Sequence, residues 1–151
     1  MPAFVWNTNH RMWRIVPPFA DSLAVLEAYI TDPSAYVYWS TPRLTDAIAA
    51  GDLAYIHCTV DNQGIIAAGR VEEPPRPLNA GNAAVFAWPD RLTPPGWDET
   101  VAPSPWKTGI RIMRTFWDAP LCPAGFAAAP GTVNRASEAE VRMIEGEIKG
   151  R

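Results

Sequence analysis

Cysteine, histidine and lysine are scarce in this 151-residue chain, with two of each. Cys58 and Cys122 are too few and too far apart for a disulfide scaffold or a zinc site, and they read as small buried thiols. Neither a paired-histidine helix, a phosphate-cradling glycine loop nor a nucleophile elbow is present, so no metal and no cofactor is expected. No apolar run approaches the roughly 18 residues of a membrane helix. The opening residues, MPAFVWNTNH, lack a basic leader and a continuous apolar segment, so the expectation is a cytoplasmic protein without a membrane partner. Positive charge is also short: the net charge is −3 and the pI about 5.3. That excludes a protein held to nucleic acid mainly by neutralising phosphates. Any such role must rest on a local patch or on reading a base.

Tryptophan and proline are abundant, with seven and sixteen residues, in a chain that is 48% hydrophobic and 19% charged. This is a globular composition, and so many prolines favour short strands joined by long connections. AFVWN (3–7) reads as a strand with Phe4 and Trp6 on one face and Val5 and Asn7 on the other. DSLAVLEAYI (21–30) opens on capping residues and spaces Leu23, Leu26 and Ile30 as a helix. YVYW (36–39) is a short strand. Thr41-Pro42 then predicts a helix start, with Leu44 and Ile48 as an i, i+4 pair and Gly51 as the C-cap. LAYIHC (53–58) and GIIAAGRVEE (64–73) predict a hairpin turned at Asp61-Asn62, with Gly69 marking a bulge or a close backbone approach. From Pro74 to Trp106 the chain is irregular, apart from a short strand expected at AAVFA (83–87). TGIRIMRTFW (108–117) is a strand whose alternation slips at Met113 and Arg114, as a bulge would make it. Ser137 and Glu140 form a capping box for a last helix that buries Val141, Ile144 and Ile148. Several strands and about three helices make a single α+β domain over 1–151.

Catalytic signals are weak. His57 and Cys58 are strand neighbours and point to opposite faces, so they form no dyad. Asp46 and Asp52 fit capping and turn roles, and no catalytic residue is assigned. Trp88, Trp97 and Trp106 sit in loop-like sequence, and aromatics on loops are how proteins stack unpaired bases or enclose methylated groups.

Several motifs recur in a recognisable order. YWSTPRLTDAIAAGDLAYIH, then GIIAAGRVEEPP, the opening FVWNTN and the closing PGTVNRASEAEVRMI together resemble the EVE domain, a member of the PUA-like superfamily. The resemblance covers most of the chain and implies a small mixed β-barrel with flanking helices. It also implies kinship with YTH domains, which hold a methylated adenine in an aromatic cage. On that likeness Trp39, Ser40 and Thr41 match one cage wall, Asn9 or Asn7 the contact to the base edge, and Trp88 or Trp97 the second wall. Arg43, Lys107, Arg111 and Arg135 are candidates for flanking phosphates. The implied partner is DNA or RNA carrying a modified base, bound without catalysis. Two alternatives stand beside it. One is a hydrolase of the related ASCH type acting on a modified cytidine, for which Lys107 is the available lysine; the other is a small-molecule or protein interaction module.

Overall fold

A computed structural model describes residues 2–16, 21–79, 81–98, 100 and 104–151. Strand β1 (Ala3–Thr8) is followed by helix α1 (Ser22–Ile30), β2 (Tyr36–Ser40), β3 (Leu53–Cys58), the long β4 (Gly64–Pro77), β5 (Trp106–Thr115), β6 (Val133–Arg135) and helix α2 (Glu138–Lys149). The strands form one mixed sheet in the order β2-β5-β4-β3-β1-β6, in which only β1 and β3 are parallel. This is the α+β architecture expected. The ladder runs between two edges, β2 and β6, and no pairing among the described residues closes it into a barrel.

Alternation along the strands sends side chains into two cores. Phe4, Trp6, Ile56, Ile66 and Ile110 pack with α1 residues Leu26 and Ile30 on one face, whereas Val5, Tyr55, Ile65 and Ile144 of α2 pack on the other. Asp21 caps α1 through Leu23 N–H at 2.9 Å, and the Ser137–Glu140 box closes the start of α2. The hairpin β3–β4 forms with Asp61 at φ +60. At Gly69 an added Cβ would lie 2.0 Å from the Arg111 carbonyl oxygen, so the two strands approach too closely there for any side chain. Arg114 pairs with Ala68 and Ile112 with Gly69, which leaves Met113 as the extra residue of a bulge on β5.

Three expectations are corrected. Residues 42–50 make turns rather than a helix, because Leu44 takes φ +60 and the Asp52 carboxylate accepts from Ala49 N–H at 2.8 Å, closing the segment as a loop. AAVFA is a single 3-10 turn (Ala83–Val85), not a strand; Phe86 and Leu92 instead anchor this stretch on Tyr36 and Tyr38 of β2. Cys58 is buried, but Cys122 is exposed, and both are free thiols.

Candidate functional site

The ends of β1, β2 and β3 converge with residues 128–132 around an open cavity of 610 Å³. Asn7, Asn9, Trp13, Trp39, Ser40 and His57 are among its lining residues. Asn7 builds its far wall. The side-chain amide nitrogen of Asn7 donates to the carbonyls of Ala129 (2.8 Å) and Gly131 (2.7 Å), and its oxygen faces His57 Nδ1 at 3.0 Å. Asn134 Nδ2 donates to the Ala129 and Pro130 carbonyls, so two asparagines hold the loop from beneath. Asn9 is exposed at the rim, and its Oδ1 accepts from Arg11 N–H at 3.1 Å.

A smaller cavity of 160 Å³ adjoins the first and shares Trp13, Trp39 and Ser40 with it. Its other walls include Tyr29, Tyr38, Trp97 and Lys107. Three indoles from distant parts of the chain therefore surround one small space. Trp97 arrives there because it bridges to Ile15, with Val16 N–H donating to the Gly96 carbonyl at 2.8 Å and Asp98 N–H to the Arg14 carbonyl at 2.8 Å. The same pairing places Trp13 beside it.

Trp39 is 5% exposed and cannot offer a whole ring face. Tyr29 stacks on it (6.0 Å, 28°) and Trp13 leans against it (6.0 Å, 58°). Tyr29 is itself pinned, accepting from Tyr38 N–H at 2.8 Å and donating to the Arg91 carbonyl, while the Arg91 guanidinium lies 4.5 Å over its ring. Thr41 is buried behind Trp39: its hydroxyl donates to the Trp39 carbonyl (3.1 Å) and accepts from Trp6 Nε1 (3.3 Å) and the Thr108 hydroxyl. That exhausts its hydrogen-bonding capacity.

Lys107 is 7% exposed, and its side chain makes no ion pair or hydrogen bond among the described residues. Desolvation alone lowers its pKa from 10.5 to about 8. Burial likewise lowers the pKa of His57, which keeps its imidazole neutral near pH 7.

The remaining residues singled out in the sequence lie elsewhere. Trp88 is 39% exposed and stacks on Tyr36 at 5.8 Å, lining neither cavity. Arg111 sits 4.9 Å over the same Tyr36 ring and reaches Glu72 (3.3 Å) and the Ser34 carbonyl (3.0 Å). Arg135 of β6 covers Phe4 of β1, 5.1 Å from its ring. Arg43 lines neither cavity, but its Nη1 lies 3.7 Å from where a Cβ on Gly131, a lining residue of the larger one, would stand. So the structure brings Trp39, Ser40, Asn7, Asn9, Trp97, Arg43 and Lys107 to one region, with Thr41 behind it, and leaves Trp88, Arg111 and Arg135 outside. Sequence reading assigned no ligand role to Trp13 or His57. Trp13 follows charged residues with no periodicity to mark it, and His57 stood out only beside Cys58.

Among the described residues no group of three or more His, Cys, Asp or Glu side chains is placed to hold a metal, and no helix is long and apolar enough to cross a membrane. No family model and no curated protein matches the sequence. Solved structures do match in shape. The human THYN1 protein, in complex with 5-methylcytosine-containing DNA, superposes with a TM-score of 0.57 at 11% identity, over 97% of each chain. A hypothetical protein from Leishmania major gives 0.54 at 14% identity, covering 100% of this chain and 98% of its own. A Pseudomonas putida protein gives 0.51 at 12% identity, covering 95% and 97%. The chain thus takes the fold of the THYN1 structure, the EVE-type architecture that its sequence resembles.

Proposed function

We propose that this protein binds a modified nucleobase in DNA or RNA, without catalysis. The observation that carries the reading is the pair of adjoining cavities sharing Trp13, Trp39 and Ser40. In this reading the base enters the larger cavity, with its polar edge towards Asn9, Ser40 and His57. A substituent on the ring reaches the smaller space between Trp13, Trp39 and Trp97. The larger cavity falls within the roughly 300–1,000 Å³ usual for small-ligand sites. THYN1, which shares the fold, was solved with DNA containing 5-methylcytosine, and that supports nucleic acid as the partner. Base–aromatic stacking contributes about 1–3 kcal/mol per base, which gives useful affinity to a protein of net charge −3 that lacks a long basic groove. A base taken from a duplex must be flipped out at a cost of a few kcal/mol. Arg43 beside Gly131 is the best-placed phosphate contact, and Lys107 is the cation available to an anionic group of the ligand inside.

Lys107 also separates this reading from a cage for methylated amines. Aromatic cages attract quaternary ammonium ions through the ring faces. A lysine without a counter-ion among the described residues lies in the same small cavity and repels them, so a neutral or anionic substituent fits and a cationic one does not.

The test is a fluorescence titration of the wild type and Trp97→Ala with modified nucleosides and short oligomers. Trp97 is half-buried outside both main cores, so its truncation spares the fold where Trp39→Ala would not. Binding should weaken by about 1–3 kcal/mol. Unchanged affinity in a folded variant would end the assignment.

A second reading rests on one observation: a lysine with a lowered pKa in a cavity is the form a nucleophile takes. It would serve the ASCH-type hydrolysis of an acylated cytidine. No carboxylate lines the cavity among the described residues to serve as its acid–base partner, which makes this reading secondary. Loss of the acyl group on incubation with acylated cytidine would reverse the ranking.

A further inference from the structure

Hydrogen bonds around the larger cavity dictate which nitrogen of His57 carries a proton. The Asn7 amide nitrogen donates to two main-chain carbonyls, of Ala129 at 2.8 Å and Gly131 at 2.7 Å. Carbonyls only accept, so turning the amide over would set its oxygen against two others. The Asn7 oxygen must therefore face His57 Nδ1, 3.0 Å away. An amide oxygen cannot donate, so the hydrogen sits on Nδ1. In a neutral imidazole Nε2 is then a bare lone pair. The ring lies edge-on to Phe126, with centroids 6.0 Å apart. No acidic side chain lines the cavity among the described residues. The charged groups around it are Arg43 by Gly131 and the cluster of His10, Arg11 and Asp61 beyond Asn9. None of these is hydrogen-bonded to His57 among the described residues. The Ser40 hydroxyl on the cavity wall can turn to donate or accept, but His57 Nε2 can only accept.

We propose that His57 Nε2 is a fixed acceptor that selects a base carrying an exocyclic amino group, as cytosine and adenine do, over one carrying a keto oxygen at the same ring position, as uracil and hypoxanthine do. The inference rests on the nucleobase reading and narrows it to a base class. An amino group donates to the lone pair, whereas a keto oxygen sets one acceptor against another. Asn7 is a positioning residue: it touches no base but sets the tautomer, and it does so with groups supplied from the 129–131 loop.

The experiment compares 5-methylcytidine with 5-methyluridine, which differ at the 4-position, by tryptophan fluorescence on the full chain. At pH 7.5 the cytidine should bind more tightly by about tenfold or more. Burial holds the His57 pKa below its ordinary value; once the pH falls below that lowered pKa the protonated Nε2 becomes a donor, and the ratio should fall to one or below. His57→Phe keeps a ring against Phe126 but has no nitrogen, and its ratio should be near one at pH 7.5 and stay there as the pH is lowered. If that variant fails to fold, long-range 1H–15N NMR on the wild type reads the tautomer directly, with the hydrogen expected on Nδ1. Equal affinities at pH 7.5, or a hydrogen on Nε2, would overturn the acceptor role and leave the nucleobase reading standing. If neither nucleoside binds, the nucleobase reading falls and this inference falls with it.

Discussion

Replacing Lys107 with methionine should stabilise the protein, by an amount that depends on pH in a way few surface changes could imitate. Lys107 is 7% exposed, its side chain has no partner among the described residues, and desolvation depresses its pKa from 10.5 to about 8. Each pH unit of displacement corresponds to about 1.36 kcal/mol, so holding the charge inside costs on the order of 3 kcal/mol at pH 7. Between pH 8 and 10.5 the unfolded chain binds the proton that the folded one releases, so this cost shrinks as pH rises. Methionine has a similar length and no charge. Its advantage should be about 3 kcal/mol at pH 7, about 2 kcal/mol at pH 9 and below about 1 kcal/mol near pH 10. In melting temperature the neutral-pH difference is about 6–12 °C for a chain of this size. Urea denaturation of both proteins across this range measures it. The comparison with wild type matters, because Tyr29, Tyr36, Tyr38, Tyr55 and Cys58 have raised pKa values. Those groups bind more protons folded than unfolded, so they lower stability at alkaline pH, and they cancel in the difference. A variant no more stable than wild type at pH 7, or an advantage indifferent to pH, would refute the reasoning.

Other outcomes follow from single contacts. Gly69→Ala sets a methyl against the Arg111 carbonyl and should cost about 3 kcal/mol or more, read as a lower urea midpoint. Thr41→Val strips partners from Trp6 Nε1 and the Thr108 hydroxyl. It should cost about 1–3 kcal/mol and shift tryptophan emission, because Trp39 loses its anchor. Binding to a modified oligomer should fall only shallowly with salt, with a log–log slope of about −1 to −2, since among the described residues few cations stand near the larger cavity, Arg43 beside Gly131 being the one without a carboxylate partner. A slope much steeper than that would indicate a protein tracking the backbone.

The features legible from sequence are those that neighbouring residues decide. The Ser137–Glu140 capping box, the Asp61 turn, the close approach at Gly69 and the bulge at Met113 are each written within a few positions of the feature itself. Strand alternation assigned Phe4 and Trp6 to one core and Val5 to the other for the same reason. The helix expected after Pro42 failed because Leu44 takes a left-handed conformation in a loop that Asp52 closes, and no local propensity contains that constraint. The site lay still further beyond local reading. Trp13, Trp39 and Trp97 meet because segments far apart in the chain pair through Ile15 and Trp97, and the amphipathic pattern says nothing of such a bridge. The sequence by itself determined strands β1, β2, β3 and β5 and the first part of β4, their inward faces and the likeness to one fold, but not β6. Only the tertiary structure decided that Lys107 would be buried with no counter-ion among the described residues and that two distant carbonyls would set the tautomer of His57. Desolvation and hydrogen-bond direction belong to a residue's surroundings, and those exist only once the chain has closed around it.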